Sequence, residues 1–260
     1  MIEKKELLEF HPQARLYLVT YLSQGLKVKG YLAIPKSKGP HPLLVYCRGG
    51  IKNVGMTRLN WIRQFVEHHY VVFAPFYRGN RGGEGREDFA GEDRYDVLEA
   101  MEWLTRLENV DRKKVHLFGF SRGSLMSLFT AMEYTYIKSV VVWGGVSSMF
   151  LTYQERVDLR KMLKRVIGGT PNKVPEQYEW RTVLSRVSEI HCPVLIIHGK
   201  DDQQVGIEHA YILAEQLKKS SKSYELLVFE EAGHFLTPKL FQEAISYMFE
   251  WFKRIEEGEK

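Results

Sequence analysis

The sequence predicts an α/β fold: one domain over residues 1–260, built on an eight-stranded, mostly parallel sheet with helices on both faces. Short apolar runs recur along the chain without polar alternation, the pattern of strands covered on both sides. Amphipathic stretches of helical period stand between them, and neither a Pro/Gly/Ser linker nor an internal repeat divides the series. A hydrophobic content of 44% supplies enough apolar surface for a sizeable core.

The first two β-rich runs, residues 15–22 and 27–34, are parted by "SQGL", in which Gly25 tolerates a positive φ, so they predict a hairpin. After "PKSKGPHP" come a strand at 43–47, a helix at 59–68 and a strand at 70–74. A helix at 93–107, a strand at 115–118, a helix at 123–133 and a strand at 139–143 continue the alternation. The series closes with a strand at 193–198, a helix at 207–219, a strand at 224–229 and a helix at 238–255.

Residues 147–190 fill a place where one short crossover is due. Their amphipathic pieces predict an inserted cap or lid at the sheet's carboxyl edge, where such folds bind ligands, with a peripheral insertion as the alternative. Within them Arg156, Arg160 and Lys164 recur every four residues, and Leu159, Met162, Leu163 and Val166 recur three to four apart. One helix with a basic and an apolar side is expected. Its basic side is either a solvated face or an anion or membrane contact.

Basic residues number 37 against 32 acidic, and the net charge of +5 is scattered, which argues against a nucleic-acid partner. Cys47 and Cys192 form no CxxC pair and predict reduced structural thiols. The start "MIEKKELLEFHPQ" lacks an apolar signal region, and no run approaches the roughly 20 apolar residues of a membrane span. A cytoplasmic protein without a membrane partner is therefore expected. His68, His69, His116 and His191 have no companions at metal spacing, and the glycine-rich "RGNRGGEG" (78–85) fits no phosphate-loop pattern, so neither metal nor cofactor is expected.

The chemistry centres on "GFSRGS". Gly119, Ser121 and Gly123 make G-x-S-x-G between a predicted strand and a predicted helix, the context in which a serine oxygen is exposed on a sharp turn. The backbone N–H of Arg122, at a helix start, suits a developing oxyanion. A serine here could also be an N-cap. A serine nucleophile needs a base, and the base needs a carboxylate to orient it. "HGKDDQQV" follows one late strand and "EEAGHFL" the next, so Ser121, an aspartate and His234 come from three loops on the same sheet edge.

Here the chain resembles an α/β-hydrolase of the prolyl oligopeptidase (S9-type) family, over most of its length from about Leu16. The similar segments are "FYRGNRGGEGREDFAGEDRYDV", "GFSRGS" and "QYEWRTVLSRVSEIHCPVLIIHGKDDQQV". The resemblance places the acid of H-G-x-x-D-x-x-V on Asp202, with Val205 last and Asp201 a surface neighbour or loop cap. Of the family's terminal G-x-x-H only His234 carries over, because glycine here stands directly before it. His198 is expected to support the acid loop.

Where relatives have Tyr-Gly-Gly or His-Gly-Gly, this chain has "CRGG". The second oxyanion donor is then the N–H of Gly49 or Gly50, with Arg48 assisting or lining a pocket. Trp143 and Tyr153 are further pocket candidates; Phe150 and Trp180 are weaker ones. The β-propeller of large family members has no place in 260 residues.

The expected activity is that of a serine hydrolase working through an acyl-enzyme on small carboxylic esters. The alternatives are a peptidase or aminoacyl-ester hydrolase on short peptides, acyl transfer to another acceptor, and a non-catalytic binding protein of hydrolase fold. Homo-oligomerisation is left open.

Overall fold

A computed structural model describes residues 2–258. Among them, nine strands form one sheet in the order β1-β2-β3-β5-β4-β6-β7-β8-β9. β1 (Glu3–His11), β2 (Ala14–Ser23) and β3 (Leu26–Pro35) make an antiparallel meander, and β3 joins β5 antiparallel. From β4 (His41–Cys47) and β5 (Val71–Pro75) onward, through β6 (Val110–Phe120), β7 (Ser139–Trp143), β8 (Val194–Gly199) and β9 (Tyr224–Phe229), all pairings are parallel.

The extra strand corrects the expected count of eight. "EKKELLEFH" has the charge of a tail, yet its length lets it pair with β2 at the sheet's edge. Apolar content, which marks interior strands, is a weak guide at an edge. Gln24 and Gly25 form the predicted hairpin turn, with φ of 46° and 78°, the left-handed pair of a two-residue turn. β6 also begins earlier than its apolar run, because His41 of β4 pairs with Val110 ahead of a register shift.

Alternate residues of the interior strands feed two cores. Leu43, Val45, Leu117, Val140 and Ile196 face α2 (Tyr95–Leu104), α3 (Gly123–Glu133) and α7 (Glu208–Lys219). Leu44, Tyr46, Phe118, Val141 and Leu195 face α1 (Leu59–Glu67) and α8 (Pro238–Glu257). Trp61, Ile62, Phe65 and Val66 carry the buried side of α1, and Thr237 caps α8 by accepting from the Leu240 N–H. Two covered faces explain why polar alternation is missing from the strands.

Chain direction across the sheet reverses between β4 and β6, which are neighbours although α1, β5 and α2 intervene. The loops leaving their carboxyl ends therefore part and open a crevice. Gly49 follows β4 and Ser121 follows β6 at this place.

Residues 147–190 hold α4 (Met149–Glu155), α5 (Arg160–Ile167), α6 (Pro175–Glu179) and two 3-10 turns. The single basic helix expected from Arg156 onward is broken. Arg156 ends α4, and its guanidinium reaches Asp158 and the Gln204 carbonyl. A 3-10 turn over Val157–Leu159 then resets the direction before α5, so Arg156 does not continue the face of Arg160 and Lys164. Tyr178, Leu163 and Ile167 of this segment join the first core. No helix among the described residues is long and apolar enough to cross a membrane. Cys47 and Cys192 are buried free thiols, each pushed up to about 12 by desolvation.

Candidate active site

Ser121 sits at φ 55°, in the left-handed region that a non-glycine residue occupies only under constraint. Its N–H donates to the Trp143 carbonyl (3.0 Å), and its own carbonyl accepts from Ser124 and Val146. The flanking glycines are there because nothing larger fits. A Cβ on Gly119 would stand 2.6 Å from the Gly123 carbonyl oxygen, and one on Gly123 would stand 2.0 Å from the Cys47 carbonyl oxygen. Strand β6 is thereby allowed to turn into α3 within the span of the motif. The N-cap alternative does not hold: Arg122 occupies the cap position of α3, with no side-chain cap bond.

His234 Nδ1 lies 2.7 Å from Asp202 Oδ2, with both side chains buried. Asp202 Oδ1 accepts from the N–H groups of Gln204 (2.8 Å) and Val205 (2.9 Å). Burial alone would raise this carboxyl. The His234 bond and the two backbone donors outweigh it and hold the pKa below the usual carboxylate value.

A carboxylate on Nδ1 leaves Nε2 as the imidazole's working nitrogen. Among the described residues Nε2 has no hydrogen bond to Ser121, a contact that commonly tightens only when substrate arrives. Gly144, at φ 51°, lets the chain pass close by, since a Cβ there would be 3.2 Å from His234 Nδ1. His198 Nε2 is 2.8 Å from the Val205 carbonyl and braces the acid loop, as expected. Burial keeps its pKa low.

The oxyanion side separates the two glycine candidates. A Cβ on Gly49 would lie 2.7 Å from Ser121 Cβ, whereas one on Gly50, at φ 62°, would meet the Val54 carbonyl. Gly49 is thus the residue packed on the serine, and Gly50 shapes the following turn.

Arg48 is not a pocket residue. Its side chain is fully buried and paired with Glu87, and it donates to the Phe76 and Gly49 carbonyls. Arg122 turns inward as well: Nη2 reaches Glu87 at 2.8 Å and Nη1 reaches Asp93 at 3.0 Å. The Tyr77 ring lies about midway, 5.0 Å from one guanidinium and 4.9 Å from the other. Both residues beside the nucleophile are therefore clamped by one carboxylate.

Glu87 and Asp93 are not singled out by the sequence, although both stand in the segment that carries the family resemblance. The available signal was that two arginines flanking buried glycine turns need counter-charges. Burial pushes the Asp93 carboxyl up, with Arg122 opposing. Arg181 binds Asp88 at 2.9 Å, and Arg94 donates to the Trp180 carbonyl, so this loop is also tied to the 147–190 segment. In "RGNRGGEG", Arg78 is buried against Asp96, which makes it structural.

Trp143 borders a cavity of about 280 Å³ together with Phe120, His234 and Phe235. Tyr153 does not reach it; its ring packs edge-on to Tyr178, as Phe150 does at a tilt. Trp180 stacks under Arg94 and Arg181.

A constrained serine after β6 and an Asp–His pair on the same edge of a doubly covered parallel sheet define an α/β-hydrolase-fold serine hydrolase. Known proteins agree. Acetyl xylan esterase 1 from Thermoanaerobacterium sp. JW/SL YS485 superposes with a TM-score of 0.76 at 19% identity, over 96% of this chain and 87% of that one. Pyrococcus horikoshii acylaminoacyl peptidase gives 0.79 at 20% identity, over 97% of this chain but 42% of that one. In sequence, 254 residues are 50% identical to the uncharacterized peptidase YtmA of Bacillus subtilis (strain 168), covering 97% of this chain and 99% of the relative. Residues 57–258 match the Peptidase S9, prolyl oligopeptidase family. The chain belongs to that family.

Proposed function

We propose that the protein hydrolyses small carboxylic esters through an acyl-enzyme on Ser121. The observation carrying this is the 2.7 Å His234–Asp202 bond on the sheet edge that also presents Ser121 in its constrained turn. His234 Nε2 takes the Ser121 proton as the oxygen attacks the carbonyl carbon. Asp202 keeps the imidazole in the tautomer that can do so and stabilises the imidazolium formed. The N–H groups of Arg122 and Gly49 receive the charge developing on the carbonyl oxygen.

The proton then passes from His234 to the leaving oxygen as the ester bond breaks. Water, deprotonated by the same nitrogen, releases the acid. The 147–190 segment acts as a cap over the carboxyl edge in this scheme.

A small cavity beside His234 and the fold shared with an acetyl xylan esterase favour esters. The second candidate is a peptidase acting on short peptides, favoured by the names of YtmA and the acylaminoacyl peptidase. A fluorophosphonate probe tests the nucleophile: the native protein is expected to label, and Ser121→Ala to lose both the label and about 10⁶ in kcat while staying folded. Equal labelling of both proteins refutes the assignment. Paired ester and anilide substrates of the same acyl group decide between the two classes.

A further inference from the structure

The cavity beside His234 is walled by aromatic side chains, three of which (Trp61, Phe120 and Trp143) also belong to the core. Its walls include the rings of Trp61, Phe120, Trp143, Phe235 and Phe241, while Arg58 and His234 stand on its lining and no carboxylate does. Phe235 is 48% exposed although it directly follows the histidine. The Arg58 guanidinium lies 4.3 Å from the Phe235 ring centroid and 5.1 Å from that of Trp61. Unlike Arg48, Arg78 and Arg122, it has no carboxylate partner among the described residues. A half-buried cation held on two aromatic faces, beside an apolar recess, is arranged for an anion that arrives with an apolar body.

The side of the reaction follows from the proposed roles of His234 and Gly49, on which this inference rests. The oxyanion points to the Arg122 and Gly49 N–H groups, and the leaving oxygen must point to His234 Nε2, its proton donor. The recess is walled by His234 and Phe120, while Ser121, Gly49 and Arg122 are all off its lining, so it lies on the histidine side of the nucleophile. We propose that it is the leaving-group subsite and that Arg58 makes it select an aromatic alcohol carrying a carboxylate.

In the step it serves, Ser121 Oγ bonds to the acyl carbon and the carbon–oxygen bond to the aryl group breaks. The His234 proton goes to the departing oxygen, giving a hydroxybenzoate-like product and the acyl-enzyme. The volume of about 280 Å³ suits a single ring, at the small end of ligand sites.

Two measurements test this. In the Ser121→Ala protein, quenching of tryptophan fluorescence reports binding near Trp61 and Trp143. There 3-hydroxybenzoate is expected to bind about tenfold more tightly than phenol, as a charge-assisted bond supplies. Arg58→Gln should remove that advantage and Arg58→Lys should keep part of it, with thermal melts checking that both variants fold. In the native enzyme, the kcat/KM ratio of 3-carboxyphenyl acetate to phenyl acetate should exceed one and fall toward one in Arg58→Gln. Equal affinities, or a preference that survives Arg58→Gln, overturns the subsite. Selective binding without turnover of either ester supports the anion-selective recess and instead overturns the nucleophile assignment.

Discussion

The two flanks of Ser121 are built from different materials. Toward α1 and α8 the neighbours are aromatic, and the buried charge bonded to His234 is Asp202. Toward β4 and the 87–93 loop the neighbours are two guanidiniums and two carboxylates, all buried. In the proposed reaction the first flank moves a proton, and its histidine is oriented by one bond that leaves Nε2 for that task. On the same proposal the second keeps two backbone N–H groups still, and a peptide is held still by anchoring the side chains on either side of it. Glu87 does this by binding Arg48, next to Gly49, and Arg122, next to Ser121. Such a cluster is weak evidence for stability, because well-packed apolar residues would often serve as well. Its value here is positional.

The largest effect is expected on the side of His234. Asp202→Asn is expected to lower kcat by about 10⁴, because an amide that presents N–H to Nδ1 favours the wrong tautomer. Single-turnover kinetics would show it, and a loss under tenfold would remove Asp202 from its role. On the other flank, Gly49→Ala places a Cβ 2.7 Å from Ser121 Cβ. Displacing that N–H should cost about 10²–10³ in kcat, the usual effect of losing one oxyanion donor, with KM changed less.

Glu87→Gln leaves both guanidiniums without their shared anion. It should cost about 3 kcal/mol in urea denaturation and lower kcat by moving the donors. A variant that loses stability but keeps kcat would show that the cluster holds the fold and not the site.

The smallest expected effect is on pH dependence. The folded-state pKa of Asp202 lies below its unfolded value, so its contribution is full above about pH 4 and is lost as pH falls through the lowered value. Asp93 has the opposite sign. Its raised pKa costs stability progressively as pH climbs from about 4 toward that raised value. Urea midpoints from pH 2.5 to 8 should therefore lose part of the acid-side fall in Asp202→Asn and part of the neutral-side decline in Asp93→Asn.

Legibility in the sequence followed the range of the interactions. G-x-S-x-G could be placed because its constraints lie within a few residues and the strand ending it, and α3, β7 and β9 fall on the residues expected. Arg48 was misassigned as a pocket residue because its orientation is set by Glu87, 39 positions away. Tyr153 was misassigned for the same kind of reason, through Tyr178 on α6. β1 was missed because an edge strand needs backbone partners more than apolar side chains, and pairing with β2 is not written in composition.

What the sequence by itself determined is the alternating strand–helix order, the two-sided burial of the interior strands, and the types and chain order of Ser121, Asp202 and His234. Hydrophobic period and strand-to-loop junctions are local, and they survive reading in one dimension. Tertiary structure alone decided that Gly49 and not Gly50 meets the serine, that Glu87 ties both arginines inward, and that Arg58 stays without an acid among the described residues beside an aromatic recess. Each of these depends on how distant loops meet at one sheet edge, where the direction of a charged side chain is chosen by partners that sequence spacing does not reveal.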